Sequence, residues 1–301
     1  MTTLTAAYTL GRPQVAGPLA VFPVFGPPPA LEYLSLSAAL ELGAFVKELD
    51  DGASVRDVIV ENPTDLPCLI YEGEQIKGAQ QNRSFDTSIL VPAKSGILAP
   101  VSCIEAGRWD GGRHTEHFTV SPHAADPALR SIKREGANSA GPRGRADQQR
   151  VWSEVDTRLH AFQVASNTAS LEDLYAMRSA RIEELRGPLE PIAGQTGALV
   201  EISGSPVALD LVSRPEVFAR LAPALTSGYA LQAANAAPGK PDAPRAERFL
   251  AKAIESRRDL AANQGLGHAF AITRTRLVGA GLTHDGELIA LSAFRRAAPR
   301  G

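Results

Sequence analysis

Cysteine is nearly absent from this chain. Only Cys68 and Cys103 occur in 301 residues, too few for a disulfide framework or a zinc site built on thiolates, so a reducing compartment is expected. An excess of one charge is missing too: 31 Lys and Arg oppose 33 Asp and Glu, a formal charge of −2. General nucleic-acid binding needs a concentrated cationic face, which this balance disfavours. No window approaches the roughly 18 apolar residues of a membrane span. The first residues, Met1 to Leu10, carry no basic stretch ahead of an apolar run, so a soluble, cytoplasmic protein without membrane contact is expected. The Gly-x-Gly-x-x-Gly and Gly-Lys-Ser/Thr nucleotide fingerprints, the His-Glu-x-x-His zinc motif and the Gly-x-Ser-x-Gly hydrolase elbow are all lacking. Neither a cofactor nor a metal is expected.

What is present, 44% hydrophobic and 21% charged residues, describes a globular chain of one large or two ordinary domains. Pro13, Pro18, Pro23 and Pro27 to Pro29 predict an extended N-terminal arm kept out of central strands by the missing N–H. Short β-branched runs from Val55 to Glu105, broken by turn formers, predict antiparallel strands. Within them, alternation assigns Phe85, Thr87, Ile89 and Val91 to one face and Asp86 and Ser88 to the other. The Gly-rich stretch 106–146 predicts a lid or a mobile loop, with a short helix near Pro127 to Arg134. Val151, Val155, Leu159 and Phe162 predict a helix. A second helix is capped by Ser170, carries the stripe Leu171, Leu174, Tyr175, Ile182 and Leu185, and stops at Gly187-Pro188. A hairpin over 198–212, a helix capped by Ser213, a helix on Ala246, Phe249, Leu250, Ala253 and Ile254, and closing strands around the turn His284 to Glu287 complete the pattern. The fold class is therefore α+β: an antiparallel β-rich N-terminal half, central helices, and C-terminal β-hairpins with two helices. The regions are 1–120, 121–187 and 188–301, expected to form one integrated domain over about 25–294.

Three constellations could carry chemistry. Between two strands, Tyr71 to Arg83 gathers Glu74, Gln81, Asn82 and Arg83, where glycines allow close approach and a guanidinium fork suits phosphate or carboxylate. A solvated connection explains the same residues. At the end of the β region, Cys103 and Glu105 share a strand face and Arg108-Trp109 follow, a pairing that can hold a flat or anionic ligand. The plain alternative is a buried thiol, an internal Glu105–Arg108 pair and a Trp109 plug. Glu105 beside Cys103 opposes thiolate formation, which argues against a nucleophile. His114, His117 and His123 lack metal-ligand spacing. Over Arg130 to Arg158, seven basic residues face four acidic ones. Arg143, Arg145 and Arg150 cluster there with Gln148 and Trp152, either as an anion-attracting patch or as a solvated helix face.

At these residues the sequence resembles the ADP-ribosylglycohydrolase- and rhodanese-phosphatase-associated protein domain family. The resemblance is carried by Gly73-Glu74, Gly78, Gln81-Asn82-Arg83, Ser88 to Pro92, Val101-Ser102-Cys103 with Glu105 and Gly107-Arg108-Trp109, Asp147-Gln148, Trp152, Asp210, Gly228-Tyr229-Ala230, Val278-Gly279 and His284 to Glu287. It implies a role near nucleotide-derived or ADP-ribosyl metabolites and no particular reaction. The expectation is a protein that binds or processes a small anionic, nucleotide-like ligand. Gln81, Asn82, Arg83, Cys103, Arg108, Trp109, Gln148 and Trp152 would line its site. A hydrolase or transferase using Glu74 or Glu105 as general base is one alternative, and a non-catalytic protein-interaction partner is another.

Overall fold

The strand pattern is set by burial on both faces, which replaces strict alternation with near-continuous apolar runs. A computed structural model describes residues 7–139, 145–260 and 264–296. Among these the N-terminal elements are β1 (Thr9–Leu10), β2 (Gln14–Ala16), β3 (Leu19–Phe25), β4 (Leu34–Ser35), α1 (Leu36–Glu41), β5 (Phe45–Lys47) and β6 (Asp57–Asn62). Next come β7 (Cys68–Ile70), β8 (Glu74–Lys77), β9 (Arg83–Phe85), β10 (Ile89–Val91), β11 (Ser95–Cys103) and β12 (Thr119–Ala124). The central helices are α2 (Pro127–Ser139), α3 (Gln148–Ala161), α4 (Leu171–Met177) and α5 (Ser179–Arg186). The chain then runs through β13 (Gly197–Ile202), β14 (Ser205–Val212), α6 (Pro215–Ala233), α7 (Ala243–Glu255), β15 (Arg258–Asp259), β16 (His268–Arg274), β17 (Leu277–His284) and β18 (Glu287–Arg295). The fold is α+β, and no helix of the described residues is long and apolar enough to cross a membrane.

The largest sheet runs β1-β3-β13-β14-β18-β17-β16-β15, with β2 also on β3, so the first 25 residues join the C-terminal hairpins. Leu19 and Val21 of β3 and Ala198 and Val200 of β13 point to the face covered by α3 to α6. Ala20, Phe22, Val24 and Leu199 point to the other, under Ala246, Leu250, Ala253 and Ile254 of α7. Each such large side chain, removed from water, contributes about 1.5–3 kcal/mol before entropy is counted. The smaller sheets, β12-β8-β9-β11-β6-β5 and β10-β7-β4, enclose a third core of Val46, Val58, Val60, Ile70, Ile76, Phe85 and Val101.

Several local expectations are corrected. Pro23 lies inside β3, in a strand flanked on both sides. Its own carbonyl accepts from Gly11 N–H, so its missing N–H lies on the side where pairing passes from β2 to β1, and the strand forgoes one ladder bond there. The run 85–91 is two strands in different sheets, because Asp86 turns inward to accept from Ser102 Oγ and Ala146 N–H. The stretch 106–146 holds β12 and a thirteen-residue α2; residues 140–144, part of the expected lid, lie outside the described residues. The expected single helix after Ser170 is interrupted at Arg178. Ser213 does not cap α6, whose cap position is Arg214; its hydroxyl pairs instead with Tyr33.

Candidate functional site

The five residues between β8 and β9 turn sharply, with Gly78 at φ 113° and Ala79 at φ 44°. Ala79 is a non-glycine in the left-handed region, a conformation that persists only where surroundings enforce it. Here the enforcing group is Arg108, whose Nη1 donates to Ala79 O at 2.8 Å. Its Nη2 reaches Asn82 Oδ1 at 3.1 Å and its Nε donates to Glu105 Oε2 at 2.8 Å. Glu105 in turn accepts from Asn82 N–H and Thr168 Oγ1, while its carbonyl accepts from Gln81 Nε2. The amide-rich bend and the end of β11 are thus directly bonded to one another. Arg108 and Glu105 spend most of their polar capacity holding that junction together.

Behind the junction lies Arg83, fully buried. Its Nη1 donates to Gln81 Oε1 at 2.9 Å, and Glu48 lies 3.6 Å from Nη2. Burial raises Glu48 above the usual carboxylate range, opposed by Arg83 and by the Gln80 N–H it accepts. Trp109, 50% exposed, covers Arg83 with its ring centroid 5.9 Å from Cζ. The Cys103 thiol is pushed up by burial, with Arg83 pulling the other way, and the Trp152 indole is close by. Gln148, first residue of α3, pairs its amide with Cys103 by accepting from N–H at 2.8 Å and donating to O at 2.9 Å. Asp147 caps that helix, and this fixes where Gln148 and Trp152 meet the strand. Four buried atoms of this neighbourhood lack a hydrogen bond of good geometry among the described residues, Arg83 Nε, Trp152 Nε1, Glu48 Oε2 and Gln80 Oε1, although the Arg83 and Trp152 side chains lie against the Cys103 thiol. Two are donors and two are acceptors. Such groups are rare in native interiors.

The structure brings Gln81, Asn82, Arg83, Cys103, Glu105, Arg108, Trp109, Gln148 and Trp152 into this one region. Glu74 is bonded elsewhere, through Oε2 to Tyr71 N–H at 2.7 Å, and burial raises its pKa to about 8. Of the histidines, His114 bonds Gln80, His117 stacks on Phe45, and His123 bonds Ser227 while stacking on Tyr175. Arg145 and Arg150 are paired with Asp57 and Glu135; Arg143 lies outside the described residues.

Reading the sequence missed the charge network on which this region rests. Arg130 is fully buried and grips Asp210 with two bonds of 3.0 and 2.6 Å and Glu72 with a third of 3.0 Å. Tyr71 and Tyr229 hydroxyls complete the Asp210 shell. One turn on, Lys133 Nζ donates to Ser84 Oγ and to the Ser84 and Phe85 carbonyls and lies 3.3 Å from Asp86, while Arg134 bonds Asp86 O. Lys133 and Arg134 therefore clamp the strand bearing Arg83 and the residue that follows it, while Arg130 ties α2 to Glu72 and to Asp210 of β14. Gly73 is required here: at φ 88°, a Cβ would lie 2.4 Å from Arg130 Nε. Glu48 was missed as well. The only available signals were carboxylates at Glu72, Glu74 and Asp86 inside short apolar runs, which demand buried cations.

No curated protein and no solved structure matches the chain. A family model does, over residues 7–294, taking in the N-terminal strands as well as the junction and the charge network beneath it. By that match the chain belongs to the ARG and Rhodanese-Phosphatase-superfamily-associated Protein domain family.

Proposed function

We propose that the junction between the β8–β9 bend and the end of β11 binds an ADP-ribose-like or other nucleotide-derived anionic metabolite. The carrying observation is the set of four buried atoms lacking a well-formed hydrogen bond, among them Nε of Arg83, the side chain that Trp109 covers. Two donors and two acceptors suit a hydroxyl, which both gives and takes a hydrogen bond, as each hydroxyl of a ribose does. Trp109 offers the aromatic face for the attached ring, and its displacement from Arg83 opens the way in. Arg108, already bonded to Glu105, Ala79 and Asn82, shapes the wall. Among anionic metabolites, an ADP-ribosyl compound is favoured by the family's name, with ARG read as ADP-ribosylglycohydrolase.

Thermal-shift titration with ADP-ribose and NAD tests this. Wild type should be stabilised, and Trp109→Ala should lose the response. No shift at millimolar ligand in either protein ends the proposal. A second reading, processing of the bound metabolite, rests on Glu105 as general base, a carboxylate bonded into the junction itself. An unchanged ligand after prolonged incubation with saturated protein removes that reading and leaves binding.

A further inference from the structure

On elements that share no residue with the junction, a cleft of about 1220 Å³ opens between α7, the β16–β17 turn and the end of β18. Seven cations line it, Arg245, Arg248, Lys252, Arg274, Arg276, Arg295 and Arg296, against the single carboxylate of Glu255. This is a local excess of six positive charges in a chain of net charge −2, so the remaining sequence carries −8. Positions 245, 248 and 252 fall on one side of α7, the opposite side being the Ala246, Leu250, Ala253 and Ile254 stripe packed on the large sheet. Burial of that stripe fixes the helix, and with it the direction in which the three cations face.

Three of the cations are partly tied down. Arg245 is held near Asp242 and bonds Gly204 O, Arg274 donates to Ser256 Oγ, and Arg296 to Glu135. Arg248, Lys252, Arg276 and Arg295 have side chains with no hydrogen bond or ion pair among the described residues. Like charges crowded on concave walls repel one another and focus a positive field into the space between them. A solvated cationic face has no reason to be concave or to be nearly free of carboxylates; a site for an anion has both. Ser205, Thr275 and Ser256 add neutral donors, and Phe249 and Leu277 supply apolar wall.

We propose that this cleft is a second ligand site, taking a small polyphosphate anion such as the phosphate chain of a nucleoside di- or triphosphate. Its volume is close to the small-molecule range of roughly 300–1,000 Å³. A long nucleic acid is disfavoured because the rest of the chain carries a net charge of −8, whereas a short polyphosphate ends where the cationic lining ends.

Calorimetric titration of the full chain with inorganic tripolyphosphate tests the site. Saturable binding that weakens with added salt is expected. Arg248→Glu with Lys252→Glu, both exposed positions, should lower the affinity by about tenfold or more, with an unchanged melting temperature confirming the fold. Trp109→Ala should bind as wild type does. Undiminished binding by the double variant, absence of saturable binding by wild type, or loss of binding in Trp109→Ala each overturns the proposal; the last would move the phosphate to the junction. Tighter binding of a single-stranded oligonucleotide than of tripolyphosphate, lost in the double variant, would overturn the small-ligand assignment.

Discussion

Glu74 stores a pH dependence that a single substitution removes. Its carboxyl is 4% exposed and accepts a hydrogen bond from Tyr71 N–H, yet burial dominates and lifts its pKa from 4.5 to about 8. Because the folded pKa is raised, the folded state holds its proton more tightly than the unfolded chain does. The resulting stability is fully present below about pH 4.5 and is lost as pH rises toward about 8. At about 1.4 kcal/mol for each unit, the loss across that window is on the order of 4–5 kcal/mol. Glu74→Gln keeps an oxygen for Tyr71 N–H and removes the ionisation. Urea denaturation of both proteins at about pH 5, 7 and 9 isolates the effect, since the other titrating groups cancel in the difference. The variant should gain on wild type steadily as pH rises and be the more stable at the alkaline end. Parallel stability–pH curves for the two proteins would show that Glu74 ionises in the folded state as it does in the unfolded one, and the reasoning would fail.

Further outcomes follow from the same interior. Arg130→Met leaves Asp210 and Glu72 buried without their cation, and should cost about 3–5 kcal/mol in denaturant midpoint and slope; a loss below about 1 kcal/mol would show that the network is solvated. Gly73→Ala meets Arg130 at 2.4 Å with φ at 88°, and should lower stability by at least about 2 kcal/mol. Both thiols are buried and shifted upward by burial, so a thiol reagent should label them only as fast as the protein opens; rapid labelling of native protein would contradict the packing around Cys103.

Legibility in the sequence followed the number of constraints at each position. The 3.6-residue stripes of α3 and α7 and the 198–212 hairpin were readable because each side chain there has one job, facing a core or facing solvent. The turn at Ser203-Gly204, φ 52° and 72°, is of the kind that hairpins with short loops require. Pro23 misled because the rule against proline in strands concerns a lost donor, and here the loss is one bond at the place where pairing passes from β2 to β1, while β13 still pairs along the other edge. The 85–91 run misled because Asp86 carries an internal charge, and period-two reading assigns every polar residue to water. The grouping of Gln81 to Arg83 with Cys103 to Trp109 came from family resemblance; local pattern left a solvated bend equally open.

The α2 cations explain why the interior charge was illegible and what it does for the surface. Arg130, Lys133 and Arg134 read as the solvated side of a helix, since lone buried cations are prohibitive and no local pattern names their partners. Their partners are 47 to 80 residues away in sequence, at Glu72, Asp86 and Asp210. A buried pair of this kind seldom outweighs its desolvation against an apolar core of equal volume, so net stability is a poor reason for it. Direction is a better one. Lys133 holds the Ser84 and Phe85 carbonyls from below, and Arg83, the residue before them, presents its Nε without a well-formed hydrogen bond beneath Trp109. Apolar packing would bury β9 as well but would let it slide; the bonds from Lys133 to Ser84 and Phe85 set its register. On this argument Lys133→Met should loosen Arg83, read as a weakened ADP-ribose response measured well below the melting transition; because it also leaves Asp86 buried without its cation, the melting temperature should fall, as for Arg130→Met. Equal responses from Lys133→Met and wild type would separate the network from the site it underlies.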